Sequence, residues 1–540
     1  MAAQLPPESV QARLRQRLAA LPLPPYLVVA GERVRVPLGV VLFYERRAYQ
    51  PAWSFGAVLL PHGAALIAAI EAIDQEGLQP TDYHLVQIQT LVTGLRAAHE
   101  QHASPDPDHL VDLDLLLTDA FFLYNAHLLA GRIDPETERT EWKDSRRKID
   151  LVALLEHALA TNQVETVLRS ALPSHPLYVN LRRAFAHYRK IAAAGGWSQV
   201  PDCSTLHPGD RAPCVRYLRA RLHAEGFLPP ALAAKKDPDL YDNTLARAVR
   251  HFQQRYGLST DAIVGPSTLA ALNVSAMARA RQLALNLERF RWLPRESAPR
   301  ALVINVAGFI LEAWEYGRPV WSMRIVVGKE GAATPVFSTY MTHLVLNPEW
   351  YLPHSIATTE LLPRIRRNPS YLTAHRIQVV QRVDGELKVV DPRTINWNRL
   401  SAAHFPYRLR QEPGPTNSMG RIKFMLPNPF GIYLHDTPAR SRHLFNHRVR
   451  TFSHGCIRVE EPLELACYVL QDSAQWTPDT LVAALDRGRK RTVWLPSPLP
   501  VHLVYWTAWV DEKGAVQFRP DIYGYDRQLD RALRKAPPIL

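Results

Sequence analysis

The run Ser453-His454-Gly455-Cys456-Ile457-Arg458 holds the residue types that covalent catalysis requires. A thiol of ordinary pKa, about 8.5, is mostly protonated near neutrality, so a nucleophilic cysteine needs a nearby base and a local positive field. His435, in Tyr433-Leu434-His435-Asp436-Thr437-Pro438, ends an apolar strand about twenty residues upstream, which leaves room for one loop returning to the same face. Gly455 permits a tight turn that exposes the sulfur and lets backbone N–H groups approach a developing oxyanion. Cys467 reads differently, as a small core residue on a helical stripe with Leu463 and Leu470. A second chemistry, a zinc site from His443 and His447 with His435, His454 and Cys456, lacks the Cys pair or helical metalloprotease motif that such sites carry. No metal is therefore expected, and a thiol nucleophile working with a base needs no organic cofactor.

Several elements must position these residues. The texture from residue 301 onward predicts strands at Ala301–Val306, Ile310–Trp314, Val320–Val327 and Met341–Leu346, the start of a β-rich domain. Residues 353–420 are rich in Pro, Arg and aromatics with little periodicity and precede the chemical motifs, so they are expected to fold over the site as a lid. Past Val501 a strand enters a hairpin at Asp511-Glu512-Lys513-Gly514.

Upstream, residues 5–194 are rich in Ala and Leu with helical periodicity, clearest in Leu113, Leu117, Phe121, Tyr124 and Leu128 before Gly131, with a loop at 99–109. A boundary at Ala192-Ala193-Ala194-Gly195-Gly196 precedes a compact unit of three short helices. The first carries Val215, Leu218 and Leu222, the second Leu245, Val249, Phe252 and Tyr256 behind an N-cap Asp242, and the third starts at Pro266. A further helix, 277–293, links this unit to the strands. The expected architecture is multidomain α+β: a helical scaffold (1–198), a three-helix unit (199–276), a linking helix (277–297), a β-rich catalytic domain with an inserted lid (298–500) and a strand and hairpin tail (501–540).

Composition bounds the partners. At 540 residues the chain exceeds one ordinary domain, and 47% hydrophobic with 21% charged residues is the balance of a compact globular protein. The net charge of +13 suits a polyanionic neighbour, yet the basic residues are scattered and no nucleic-acid-binding signature is present, so nucleic acid is not expected. The apolar stretch 57–73 is broken by Pro61 and His62 and falls short of a bilayer span. The amino terminus, Met1-Ala2-Ala3-Gln4-Leu5-Pro6-Pro7, has no basic region followed by an apolar one, so an exported form would have lost its leader. Four cysteines are too few for a disulfide scaffold; Cys203 and Cys214 flank a short loop and are equally compatible with a bridge or two free thiols.

The residues from His435 to Arg458 resemble the YkuD-type L,D-transpeptidase motif: a histidine, then Ser/Thr-His-Gly-Cys, an apolar residue and Arg or Asn. Arg324-Ile325-Val326-Val327-Gly328-Lys329, Thr334-Pro335-Val336-Phe337, Leu346-Asn347-Pro348-Glu349-Trp350, Pro353-His354-Ser355-Ile356-Ala357 and Pro413-Gly414-Pro415-Thr416-Asn417 extend the resemblance. The three-helix unit resembles a peptidoglycan-binding domain through Ala248-Val249-Arg250-His251-Phe252-Gln253-Gln254-Arg255-Tyr256-Gly257-Leu258 and Ile263-Val264-Gly265-Pro266, with Asp261-Ala262 where that family has Asp-Gly. Nearly the whole chain resembles the large, YcbB-like members, although these often carry Ser where His454 stands.

The resemblance implies that Cys456 is the nucleophile and His435 its base. Asp436 orients His435, and His454 and Gly455 lie near the oxyanion or substrate. Arg458, Tyr433, Ser453 and Asn417 contact substrate. It also implies a periplasmic enzyme with peptidoglycan stems and glycan as substrate, cell-wall synthesis proteins as partners and susceptibility to carbapenems. An L,D-carboxypeptidase, a lipoprotein-attaching enzyme and a wall-binding scaffold with an idle catalytic domain are the competing functions.

Overall fold

The computed structural model describes residues 7–19, 21, 26–55, 58–104, 106–134, 149–230, 237–295 and 298–540; most of the amino-terminal stretch considered as a leader lies outside them. These residues form two compact units, one of residues 298–505 and the other of the remainder, including 506–540.

The first unit is helical, and its core is organised by the 24-residue helix Pro107–Ala130, capped by the Asp106 side chain on Asp108 N–H and begun by Pro107. This helix is long and apolar enough to cross a membrane, but its flanks are buried within the unit from Leu110 to Leu128. Its polar residues are internal too: Asp114 accepts from Tyr44 Oη and from the N–H groups of Ala52 and Trp53, and Asp119 accepts from those of Arg35 and Val36. Helices claim both ends of the expected loop: Leu85–Glu100 takes 99–100 and Pro107–Ala130 takes 107–109, leaving 101–106 between them.

The three-helix unit is Cys214–Ala224, Asn243–Arg255 and Pro266–Leu272, and Asp242 caps the second helix through Thr244 and Leu245 N–H. Cys203 and Cys214 are bridged. Ala262 takes the left-handed conformation (φ +63°) that glycine favours, so this turn keeps its geometry with a side chain present. The helix Ala276–Arg291 is buried along most of its length and belongs to the first compact unit. The tail adds the hairpin Ala508–Val510 with Val516–Phe518 and the helix Tyr525–Leu533.

The second unit is built on strands numbered here in chain order. They are β1 (Arg300–Asn305), β2 (Ile310–Glu315), β3 (Arg318–Gly328), β4 (Phe337–Leu346), β5 (Trp350–Tyr351), β6 (Ile377–Val383), β7 (Glu386–Val390), β8 (Arg408–Gln411), β9 (Ile422–Met425), β10 (Leu434–His435), β11 (Thr451–Ser453), β12 (Ile457–Val459) and β13 (Arg491–Val504). The main sheet has the order β11-β3-β12-β10-β9-β4-β13-β1-β2 and closes on itself because β2 also pairs with β3. Leu344, Phe424, Leu434, Ile457 and Val493 fill its buried side, while the residues alternating with them face the other way. The insert between β4 and β9 is a folded layer with a four-stranded sheet, β7-β6-β8-β5, short helices and its own core of Ile365, Leu372, Val379, Trp397 and Leu409.

Candidate active site

Strand pairing assembles the site. β10 lies between β9 and β12, with His435 opposite Lys423 on one side and Arg458 on the other. Ile457 N–H donates to Tyr433 O at 3.1 Å and extends the ladder, so Cys456 stands beside Tyr433. Cys456, Arg458, Tyr433, His435 and Lys423 therefore share one face. The loop before the sulfur is shaped internally: Ser453 Oγ donates to Cys456 O at 2.5 Å and accepts from Gly455 N–H at 3.1 Å. Gly455 has φ +109°, and Thr334 Oγ1 donates to its carbonyl at 2.7 Å. A side chain at 455 would be strained by the backbone alone and would meet Ile432 at 3.3 Å.

His435 is only 2% exposed. Its Nδ1–H donates to Asp436 O at 2.6 Å, which leaves Nε2 as the basic nitrogen. The Asp436 carboxylate is anchored by Thr437 N–H at 2.6 Å and Arg421 N–H at 2.7 Å, and burial pushes it above the usual carboxylate range. Gly420 makes room for it: a Cβ there, at φ +62°, would come within 2.4 Å of the carboxyl group. Burial, then the nearby charges of Arg458 and Lys423, push His435 down to about 3. Burial also pushes the Cys456 thiol up, opposed by Tyr433, Lys423 and Arg458. Backbone contacts with Asp436 and Met419 oppose the depression of His435, and at neutral pH the pair is a thiol and a neutral imidazole with its lone pair on Nε2. Burial holds Tyr433 well above its usual range, so its phenol stays a donor toward the sulfur.

The sulfur opens into a cavity of about 250 Å³ walled on one side by insert residues, among them Trp350, Ile356, Glu360, Arg364 and Tyr371, and on the other by the sheet. Arg458 lines it; burial lowers its pKa, Nε has no hydrogen-bond partner and the side chain makes no ion pair among the described residues. A desolvated, unpaired guanidinium is suited to a carboxylate. His454 is exposed at the rim. Its Nε2 faces Glu360 Oε1 of the insert at 2.5 Å and Lys329 Nζ at 3.0 Å. Burial raises the Glu360 carboxyl, but the His454 hydrogen bond and the charges of His454, Lys329 and Arg364 outweigh it and hold the group low.

Two expected substrate contacts have other partners. Asn417 is fully buried; Nδ2 donates to Pro348 O at 3.0 Å and Glu412 O at 2.9 Å, and Oδ1 accepts from Met419 N–H at 2.8 Å. It joins the roots of the insert and lies outside the cavity lining. Ser453 reaches the cavity wall, but its hydroxyl is engaged within the loop. His443 and His447 have ring centroids 6.3 Å apart, with His443 Nδ1 on Arg440 O, and no cluster of three His, Cys, Asp or Glu is placed to hold a metal among the described residues. Lys423, whose Nζ lies 3.7 Å from the Tyr433 ring centroid, and Glu360 were missed by sequence reasoning. Each enters through long-range pairing that no local motif marks.

The site is thus a loop cysteine beside a buried histidine, presented by a closed sheet under a folded insert. Comparison with known proteins shows which family models the parts of the chain match. Residues 299–483 match the family model of the L,D-transpeptidase catalytic domain, called YkuD, and the chain carries that domain. Residues 39–185 match a scaffold domain and residues 211–272 a domain described as "Putative peptidoglycan binding domain". A curated relative from Haemophilus influenzae, "Putative L,D-transpeptidase", is 36% identical over 252 residues, covering 47% of this chain and 49% of the relative. The chain thus spans about half the length of the curated relative it matches. Two solved structures are similar. The L,D-transpeptidase of Xylanimonas cellulosilytica is 19% identical, covers 56% of this chain and 98% of its own, and has a TM-score of 0.18. The L,D-transpeptidase from Mycobacterium smegmatis is 13% identical, covers 38% and 59%, and has a TM-score of 0.17.

Proposed function

We propose that the chain is a peptidoglycan L,D-transpeptidase acting in the periplasm. The observation that carries this reading is the ladder that sets Cys456 and Arg458 beside Tyr433 and His435, with the Asp436 carbonyl on Nδ1–H leaving Nε2 free to take a proton. In the first half-reaction Cys456 Sγ attacks the carbonyl carbon at the L-centre of the third residue of a tetrapeptide stem while its proton passes to His435 Nε2. The phenol of Tyr433 and the charges of Lys423 and Arg458 favour the charge that develops on sulfur. The C–N bond then breaks, His435 returns the proton to the leaving amine, D-Ala departs and a thioester remains. In the second half-reaction the side-chain amine of diaminopimelate on another stem attacks the thioester, loses a proton to His435 and forms the cross-link. Cys456 leaves as the thiol. Arg458 pairs with a substrate carboxylate in the cavity, and the insert serves as the lid that excludes water.

The test is incubation with purified tetrapeptide muropeptides and mass analysis of the products. The wild type is expected to give dimers lacking one D-Ala, and Cys456→Ala to lose activity by about a thousandfold or more. Loss of D-Ala without dimers would make water the acceptor and the enzyme an L,D-carboxypeptidase. Activity retained in Cys456→Ala would overturn the mechanism.

A further inference from the structure

A second row of side chains leaves Cys456 across the strands of the main sheet. Strand pairing sets Trp494 opposite His343 and His343 opposite Met425. The register that sets Lys423 against His435 carries Met425 onto Tyr433, and Tyr433 stands beside Cys456. Cys456, Tyr433, Met425, His343 and Trp494 thus form one row across β12, β10, β9, β4 and β13. Burial agrees with the alternation: Leu344, Phe424 and Val493 are buried, whereas His343 and Met425 are half-buried and Trp494 is 67% exposed. None of Met425, His343 and Trp494 lines the cavity under the insert, so the row is a separate approach to the sulfur.

The row ends in a platform. The His343 ring lies 4.4 Å from the Trp494 ring, tilted by 39°, which steadies the indole while it stays open to solvent. An exposed indole of this kind offers a flat apolar surface to the C–H face of a sugar ring. The spacing also fits. Strands lie about 4.8 Å apart, so four steps put Trp494 about 19 Å from Cys456 along the sheet surface, and less in a straight line because the sheet curves round to close. The third residue of an extended stem lies about 10 Å from the root of that stem, at about 3.3–3.6 Å per residue. The remaining distance accommodates the ether spacer of muramic acid and the ring that bears it.

We propose that Trp494, steadied by His343, is a glycan subsite that stacks a hexosamine ring of the strand whose stem reaches Cys456. The proposal rests on the transpeptidase reading and adds the polymer's sugar as a recognised part of the substrate.

The experiment measures D-Ala release by the full chain from a free tetrapeptide and from the same tetrapeptide joined to its disaccharide, for wild type, Trp494→Ala and Trp494→Phe. The ratio of kcat/KM for the disaccharide substrate to that for the free peptide is expected to fall about two- to twelvefold in Trp494→Ala, the effect of losing one aromatic contact. The change should lie in KM, and Trp494→Phe should restore most of it. An equal fall for both substrates, no fall, or a Trp494→Phe variant no better than Trp494→Ala would overturn the subsite. A fall confined to the free peptide would assign the platform to the stem itself and overturn it too. If the wild type releases D-Ala from neither substrate, the transpeptidase reading fails and the subsite with it; if it releases D-Ala from both with an unchanged ratio, only the subsite fails.

Discussion

The helix Pro107–Ala130 and the β10–β12 ladder both bury polar side chains, and they treat them in opposite ways. On the helix, Asp114 receives two backbone N–H groups and the Tyr44 hydroxyl, and Asp119 receives two backbone N–H groups and His84 at 2.8 Å. Those networks are closed, so they fix the loops that pack against the helix and leave no capacity for a ligand. On the ladder, Nε2 of His435 keeps a lone pair, Arg458 makes no ion pair among the described residues, and the sulfur opens into a cavity. Burial alone therefore does not mark a site. A buried network with open ends does, because its unsatisfied groups gain most from a substrate.

The contrast breaks most visibly at His435. His435→Gln removes the proton acceptor from the open network and is expected to lower kcat by about 10²–10⁴-fold, with the fold retained by circular dichroism. A loss below tenfold would show that another group accepts the thiol proton. Asp114→Ala opens the closed network instead, leaving the Ala52 and Trp53 N–H groups without their acceptor and the Tyr44 hydroxyl with only the residue-114 carbonyl and Thr118. It should destabilise the first unit by about 3–5 kcal/mol in denaturant unfolding. A change under about 1 kcal/mol would mean that water or Thr118 takes over the lost contacts.

These two positions also divide what the sequence discloses from what it hides. The Ser453–Arg458 run and His435 were legible because acyl transfer restricts residue type within a short span. The three-helix unit was legible from helical spacing and its Asp242 cap. The insert was not legible as a folded layer: β7 is exposed along nearly its whole length, so the hairpin it forms with β6 shows no period-two alternation. Asn417 sits in a motif whose local pattern does not reveal that its amide is directed to Pro348 and Glu412. Trp494 joins a row with Cys456 only when four strand registers are known, and Lys423 meets His435 only through the pairing of β9 with β10.

Acid should separate the two units as well. His435 is depressed to about 3 and His502, buried and bonded to Ser338 Oγ at 2.8 Å, to about 4, in both cases by burial first. Both are neutral in the folded state, while an unfolded histidine takes a proton near 6.5. Below that pH the unfolded chain binds more protons. The stability these groups share in is complete above about 6.5 and falls as pH drops toward 4, by about 1.4 kcal/mol per pH unit for each. Asp114 has the opposite sign: burial raises its folded pKa, so the penalty for ionising it is present at neutral pH and is relieved on acidification. Hydrogen exchange at pH 7 and pH 4.5, corrected for intrinsic rates, should show β9, β10 and β13 losing more protection than the helix Pro107–Ala130. His502→Gln should flatten that loss, and an equal loss in the two units would contradict it.

The smallest expected effect decides what His454 does. Its ring is exposed, and its contact with Glu360 ties the nucleophile loop to the insert, with Lys329 as a third charge 3.6 Å from the carboxylate. Solvent screens such a cluster, so Glu360→Gln should weaken the tie by about 0.2–1 kcal/mol, or less than about fivefold in kcat/KM. The effect should shrink further at high ionic strength. In that case His454 only positions the insert, and the open network ends at Cys456, His435 and Arg458. If Glu360→Gln instead lowers kcat by more than tenfold at every salt concentration, His454 belongs to the chemistry, and the network extends across the cavity into the insert.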